Sequence, residues 1–106
     1  MPLIPDVIID DIQSRAEFFQ VLADALRQVK TYRAKNPSFW VYQNIEKQLE
    51  FIQQAIDGGR TPTSDERRRI DMGLVVSREL EPAMDNDLDD FCKRVTGLAY
   101  YFELWQ

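Results

Sequence analysis

Apolar residues recur along the chain at steps of three and four, the spacing that places side chains on one face of an α-helix. This pattern predicts four helices, at about residues 6–33, 38–57, 64–80 and 87–104. No stretch alternates apolar and polar residues strongly enough to predict a strand. Four amphipathic helices with short connections predict an all-α fold, a compact bundle.

The apolar line of each predicted helix is expected to face the core. These lines are Ile8, Ile12, Ala16, Phe19, Leu22, Leu26 and Val29; Val41, Ile45, Leu49, Ile52 and Ile56; Ile70, Gly73, Leu74, Ser77 and Leu80; and Leu88, Phe91, Val95, Leu98, Phe102 and Trp105. Gly73 lies within the third helix, where glycine costs about 1 kcal/mol relative to alanine. Its small size therefore suggests that a neighbouring helix packs close to it.

The predicted connections contain residues that end or begin helices. The Asn-Pro pair at 36–37 ends the first helix, and Gly58–Gly59 stops the second, because glycine accepts the left-handed C-cap conformation. Thr63 and Glu66 have the spacing of a capping box at the start of the third helix. Pro82 interrupts the pattern before the fourth.

The length and charge of the chain limit the classes of function. At 106 residues it is expected to form one domain over residues 1–106. The net charge of -5, from 13 basic and 18 acidic residues, argues against general nucleic-acid binding and permits a basic protein partner. The first dozen residues lack a basic segment followed by a long apolar run, so no secretory or membrane segment is expected.

Residues that commonly perform catalysis or bind metals are scarce in this sequence. The chain has no histidine and one cysteine, Cys92, which lies on the apolar line of the last helix and is expected to be a small core residue. One cysteine allows no internal disulfide, which fits a reducing compartment. No enzymatic activity and no cofactor are expected. The basic run Arg67–Arg69 is predicted to lie on a surface helix with local ion pairs.

An acidic segment follows Arg78, with six carboxylates in the twelve residues from 79 to 90. Three explanations are open: helix capping, a cation site, or a surface for a basic partner. As a calcium loop the segment fails, because Asp90 and Thr96 stand where an EF-hand needs glycine and glutamate. No metal site is therefore expected there.

Three stretches carry a resemblance to a known family. They are NPSFWVYQNIEKQLEFI at 36–52, RIDMGLVVSRELE at 69–81, and, after the acidic turn, DLDDFCKRVTGLAYY at 87–101. Their order resembles the small helical immunity proteins of type VI secretion NAD(P)+ glycohydrolase effectors. The sharpest similarities are Glu46–Leu49 and Gly73–Leu80.

The resemblance implies a protein of the bacterial cytoplasm that binds the toxin domain of a cognate effector. Such a protein blocks the active site of the toxin, so that NAD+ and NADP+ are not depleted, and performs no chemistry itself. An enzyme that binds anionic phosphates has a basic cleft, and an acidic surface could enter it with gains in association rate and specificity.

The candidate partner-binding residues are Trp40, Glu46, Glu50, Glu79, Glu81, Asp85 and Asp87. Asp85 and Asp87 are equally explained as the N-cap and a first-turn acid of the fourth helix. Glu79 and Glu81 lie near a helix C-terminus, where negative charge is unfavourable, so either a partner's basic residue or an internal ion pair should compensate them.

The candidates on the second helix also have structural alternatives. Glu46 and Glu50 form a surface pair one turn apart, and Glu46 is expected to bridge to Arg78. Trp40 and Tyr42 are core aromatics or, if exposed, interface anchors. A second function also remains open: a helical adaptor or homodimerisation module without a toxin partner. The sequence leaves the oligomeric state undecided.

Overall fold

The computed structural model describes Ile12, residues 14–80 and residues 85–105. This part of the chain contains five α-helices and no strand. They are α1 (Arg15–Lys35), α2 (Trp40–Ala55), α3 (Ser64–Arg68), α4 (Met72–Glu79) and α5 (Asn86–Leu104), with a 3₁₀ turn at Asp57–Gly59. The predicted all-α bundle is confirmed. Four of these helices are amphipathic, which agrees with the predicted number, and the fifth, α3, has only five residues.

The four longer helices pack around one apolar core. α1 packs against α2 and α5, and α4 packs against α5 and α2, so each helix contacts two neighbours. The largest fully buried side chains are Phe18, Leu22, Val29, Ile45, Leu49, Ile52, Ile56, Met72, Phe91, Leu98, Phe102 and Trp105. Among the described residues, no helix is both long enough and apolar enough to cross a membrane.

The first helix begins later than the apolar pattern predicts. Ser14 is extended, with φ of -151°, and its side chain accepts a hydrogen bond from the Glu17 N–H at 3.2 Å. Ser14 is therefore the N-cap of α1, and the prediction that the helix continues through Ile12 and Ser14 is wrong. The rest of that prediction, residues 6–11 and 13, lies outside the described residues.

The third predicted helix is two helices, which is a second correction. The capping box of Thr63 and Glu66 is confirmed at the start of α3, but α3 ends at Arg68 and α4 begins at Met72. Between the two helices, the side chain of Gln48 binds Asp71 in place of a helical hydrogen bond. Its Oε1 accepts the Asp71 N–H at 2.9 Å, and its Nε2 donates to Asp71 Oδ1 at 2.7 Å.

The interruption changes which residues of α4 face the core. Met72, Val76 and Leu80 are buried, whereas Leu74, predicted to share the core face, is 58% exposed. The prediction for Leu74 was wrong because it treated residues 64–80 as one continuous helix, and the break at residues 69–71 changes which side chains share a face. Gly73 does lie against α5, but a methyl group added there would lie 3.8 Å from Ala99 Cβ, an ordinary contact. Close packing therefore does not require glycine.

The other predicted boundaries agree with the structure. Gly58 and Gly59 follow α2 with positive φ values of 72° and 81°, as predicted for residues that stop the helix. Asp85 accepts the Leu88 N–H at 3.1 Å and caps α5, which begins at Asn86. Sequence signals with a local hydrogen-bonding mechanism located these boundaries to within a residue or two.

The basic run 67–69 is only partly a surface with local ion pairs. Arg68 pairs with Asp65, as predicted. Arg69 instead lies over the Phe51 ring, with its guanidinium carbon 5.6 Å from the ring centroid. Arg67 donates to the backbone carbonyls of Glu103, at 2.5 Å, and Trp105. This side chain ties α3 to the C-terminus of α5, whose carbonyls lack partners within the helix.

Candidate partner-binding surface

Most of the predicted partner-binding residues lie near one end of the bundle, which we call the Trp40 end. Here α1 and α4 finish while α2 and α5 begin, because the connections at 36–39 and 80–85 are short. Burial, followed by the charges of Asp85 and Asp87, raises the pKa of Tyr32 near the end of α1. This influence places both carboxylates close to the last turns of α1.

A groove between α2 and α4 opens near this end. Its lining residues are Trp40, Asn44, Asp71, Leu74, Val75, Arg78 and Glu79, and its volume is about 260 Å³. We call it the α2–α4 groove. Trp40 is 52% exposed, so its reading as a core residue is wrong, while its neighbour Tyr42 is buried. Two large apolar side chains, Trp40 and Leu74, thus line one surface depression.

The polar lining of the groove leaves several groups available to a partner. Arg78 and Glu79 are exposed, and neither forms an ion pair with another described residue. Gln48 Nε2 donates hydrogen bonds to Asp71 Oδ1 and, at 2.8 Å, to Asn44 Oδ1. The other carboxylate oxygen of Asp71 and the NH2 group of Asn44 are left for a partner. The groove therefore presents two carboxylates and one guanidinium beside its apolar side chains.

Glu46 is held within the protein and does not form the predicted surface pair. Its side chain is in an ion pair with Arg33, with Nη1 and Oε1 3.2 Å apart, and the residue is 7% exposed. The predicted bridge to Arg78 is wrong, because Glu46 turns toward α1. Glu50 is exposed and lines a depression with Glu46 that also contains Lys30, Arg33, Gln43 and Lys47. That surface is not predominantly acidic.

The carboxylates at the start of α5 have mixed surroundings. The predicted N-cap role of Asp85 is confirmed, and Asp87 is an exposed first-turn acid. Asp87 lines a depression that includes the basic residues Arg27 and Lys35. Capping satisfies a helical N–H without burying Asp85, so contact with a partner remains compatible with it. Glu81 lies outside the described residues.

The predicted site residues thus divide into separate groups among the residues that the structure describes. Trp40 and Glu79 share the α2–α4 groove, Glu46 and Glu50 share the depression beside α1, and the two aspartates lie at the start of α5. The sequence analysis missed Leu74 as a surface residue. Asp71, a polar residue before an apolar run, is a signal that a new helix starts there.

The described residues include few groups that commonly bind metals or act as nucleophiles. Within the described residues, no group of three or more His, Cys, Asp or Glu side chains could hold a metal ion. The predicted core position of Cys92 is confirmed, and burial, with a smaller effect of Asp89, raises the pKa of its thiol to about 11. A thiol with that pKa is almost fully protonated near pH 7 and is a poor nucleophile.

An all-helical bundle with a half-exposed tryptophan in a charged groove has the features of a protein-binding protein. Comparison with known families identifies the class more closely. Residues 17–100 match the family model Tsi6, and the chain belongs to this family of type VI secretion immunity proteins. Membership implies a cognate effector protein as partner. No curated protein and no solved structure shows significant similarity to the chain.

Proposed function

We propose that this chain binds the toxin domain of a cognate type VI effector, an NAD(P)+ glycohydrolase, and neutralises it by occluding its active site. The observation that carries this proposal is the family match, which spans α1 to α5. The glycohydrolase activity of the toxin rests on the sequence resemblance in residues 36–52, 69–81 and 87–101.

Charge supports an inhibitory contact with a nucleotide-binding enzyme. A cleft that holds the two phosphates of NAD+ needs basic side chains or helix N-termini. At the Trp40 end, Glu79 and Asp85 are exposed carboxylates on the α4–α5 side, and Glu81 lies between them in sequence. The backbone at a helix end holds such carboxylates close to the cleft, and the Asp85 side chain is also held by the bond it accepts from the Leu88 N–H.

The proposal assigns the chain a binding role throughout. It acts as one domain in the bacterial cytoplasm, without a cofactor and without catalysing a reaction. Nucleic acid and membranes are not its partners, consistent with its net charge of -5. In this reading the partner-binding residues are Trp40, Glu46, Glu50, Glu79, Glu81, Asp85 and Asp87, with Glu46 acting chiefly by holding α1 against α2.

Co-expression with the toxin domain encoded by the neighbouring gene tests the function. Cells that produce the toxin alone should lose NAD+ and NADP+, and cells that also produce this chain should keep both. With purified proteins, saturating amounts of the chain should abolish cleavage of the nicotinamide glycosidic bond. Continued cleavage by a toxin that is fully bound would refute active-site occlusion. A stable dimer of this chain with no affinity for the toxin would instead support the homodimerisation module.

The electrostatic part of the proposal has its own test. Glu79→Lys together with Glu81→Lys should slow association with the toxin domain by about tenfold at low salt and by much less at high salt. A matched control, Asp57→Lys with Glu103→Lys, makes the same change in net charge near the opposite end of the bundle. Equal slowing by the two pairs would assign the effect to net charge alone.

A further inference from the structure

We propose that the α2–α4 groove is the anchor point of the complex, and that it receives an apolar side chain of the toxin domain flanked by lysine or arginine. This inference rests on the proposed function and assigns its partner to one surface. The family match does not specify which surface binds the toxin, because the matched residues include helices on every side of the bundle.

The apolar contribution comes from two helices that converge on the same depression. Trp40 begins α2 and Leu74 lies in the second half-turn of α4, and each leaves more than half of its surface exposed. Large aromatic residues in well-packed pockets dominate the energy of many protein interfaces, so Trp40 has the character of a hot-spot residue.

The charge of the groove selects the chemistry around the apolar side chain. Asp71 and Glu79 provide two carboxylates against the single guanidinium of Arg78. Glu79 is the last residue of α4, and Asp85, six positions later, is the exposed N-cap of α5. Glu79 forms no ion pair with another described residue. A basic residue of the toxin could therefore pair with Glu79 without breaking an ion pair among these residues.

Hydrogen bonds and ring packing hold the residues on both sides of the groove. Two hydrogen bonds fix Gln48 to Asp71, and both join α2 to the start of α4. Beside Trp40, Phe39 packs edge-on against the buried Tyr42, with ring centroids 5.4 Å apart. A preformed site loses little conformational entropy when it is occupied, which favours tight binding by a small number of side chains.

A second copy of this chain is a poorer occupant. Each chain carries a net charge of -5, so self-association would bring two acidic molecules together. A toxin domain that binds dinucleotide phosphates supplies the complementary charge. The apolar side chains Tyr100 and Leu104 on α5 are also exposed, but the groove does not include them, and they serve here as controls.

Titration calorimetry of full-length variants with the purified toxin domain tests the assignment. Trp40→Ala should raise the Kd by about 30-fold or more and Leu74→Ala by about fivefold, because both remove buried area at the centre of the contact. The matched controls are Tyr100→Ala and Leu104→Ala, with Leu104 56% exposed in the wild type. These should change the Kd by less than about twofold.

The outcomes separate this inference from the proposed function. If wild-type chain does not bind the toxin domain, the proposed function fails. If it binds and the Trp40 and Leu74 variants match the controls, only the groove assignment fails. A wild-type dimer in sedimentation equilibrium that Trp40→Ala converts to monomer would give the groove to a second copy and also overturn the assignment. Unchanged thermal melts should show that all four variants fold.

Discussion

Gln48 and Asp71 form two hydrogen bonds across the α2–α4 contact, one to the backbone and one to the carboxylate of Asp71. The pair fixes the start of α4 and thereby the phase of its buried face. Gln48→Ala should lower the free energy of unfolding by about 2 kcal/mol, because a partly buried backbone N–H loses its acceptor. Urea denaturation measures the change.

The exposed Gln53 provides the control on the same helix. Gln53→Ala should change stability by less than about 0.5 kcal/mol. If the two substitutions lowered the free energy of unfolding equally, the hydrogen bonds between Gln48 and Asp71 would contribute no stability beyond that of an exposed glutamine on α2.

The buried end of the Arg33–Glu46 ion pair should make it stronger than an exposed pair. A double-mutant cycle with Arg33→Ala and Glu46→Ala should give a coupling energy of about 1 kcal/mol, since Glu46 is largely removed from water while Arg33 remains half-exposed. The same cycle between Arg78 and Glu46 should give a coupling near zero. Thermal unfolding at two salt concentrations measures both, and a larger coupling to Arg78 would contradict the observed pairing.

Arg67 should protect the end of α5 from fraying. Arg67→Ala removes hydrogen bonds to the carbonyls of Glu103 and Trp105, and we expect a loss of about 2 kcal/mol with faster amide exchange in the last turn of α5. Hydrogen-exchange mass spectrometry locates the effect. Arg68→Ala removes only an exposed ion pair one residue away and should leave that exchange unchanged.

Gly73 offers a stabilising substitution. Its φ is not positive and a methyl group has room beside Ala99, so Gly73→Ala should raise the free energy of unfolding by about 0.5 kcal/mol through loss of freedom in the unfolded chain. Gly58→Ala has more space than Gly73→Ala but a φ of 72°, and it should be destabilising by about 1 kcal/mol. Chemical denaturation of both variants checks whether backbone conformation, not space, decides the sign.

The pKa of Cys92 predicts a dependence of reactivity and stability on pH. A rise from 9.0 to about 11 leaves roughly 100-fold less thiolate at pH 8, so labelling by a thiol reagent should be slow in the folded protein and fast in urea. The unfolded chain releases this proton first, so the contribution of Cys92 to stability is complete below pH 9 and is lost as pH rises toward 11.

Cys92→Ala isolates that contribution. Burial also raises the pKa of Tyr32 and Tyr42, and the charge of the Cys92 thiolate adds to both shifts, so the variant loses that part of their effect together with the thiol. The wild type should therefore lose more stability than the variant between pH 9 and 11. Parallel curves over that range would contradict a raised pKa for the thiol.

The sequence predicts the start of a helix well where a local hydrogen bond fixes it. Thr63 and Asp85 cap helices through bonds to a residue three positions later, and a sequence pattern can represent such a bond. Ser14 forms the same kind of bond, but the apolar pattern continues across it and predicts no helix start there. The break at residues 69–71 depends on Gln48, 23 positions away from Asp71. Periodicity within one segment contains no information about that partner.

The same limit explains the candidate surface. Trp40 and Glu79 were singled out from the sequence, but Leu74 was placed in the core because its phase was read through the break. Glu46 was paired with Arg78 when its partner is Arg33 on α1. Residue types identify which side chains could bind, whereas the tertiary arrangement decides which of them share a groove and which satisfy each other.

The turn at Gly58 and Gly59 has a practical consequence. It lies beyond the far end of α2, whose 16 residues separate it from Trp40 by about 24 Å. Apart from the adjacent residues of the chain, nothing lies within 4 Å of the position that a side chain would take at either glycine, so the turn has open space around it. A fluorophore or an immobilisation tag carried by the exposed Asp57 beside this turn would keep both glycines and would lie at the end of α2 that is far from Trp40.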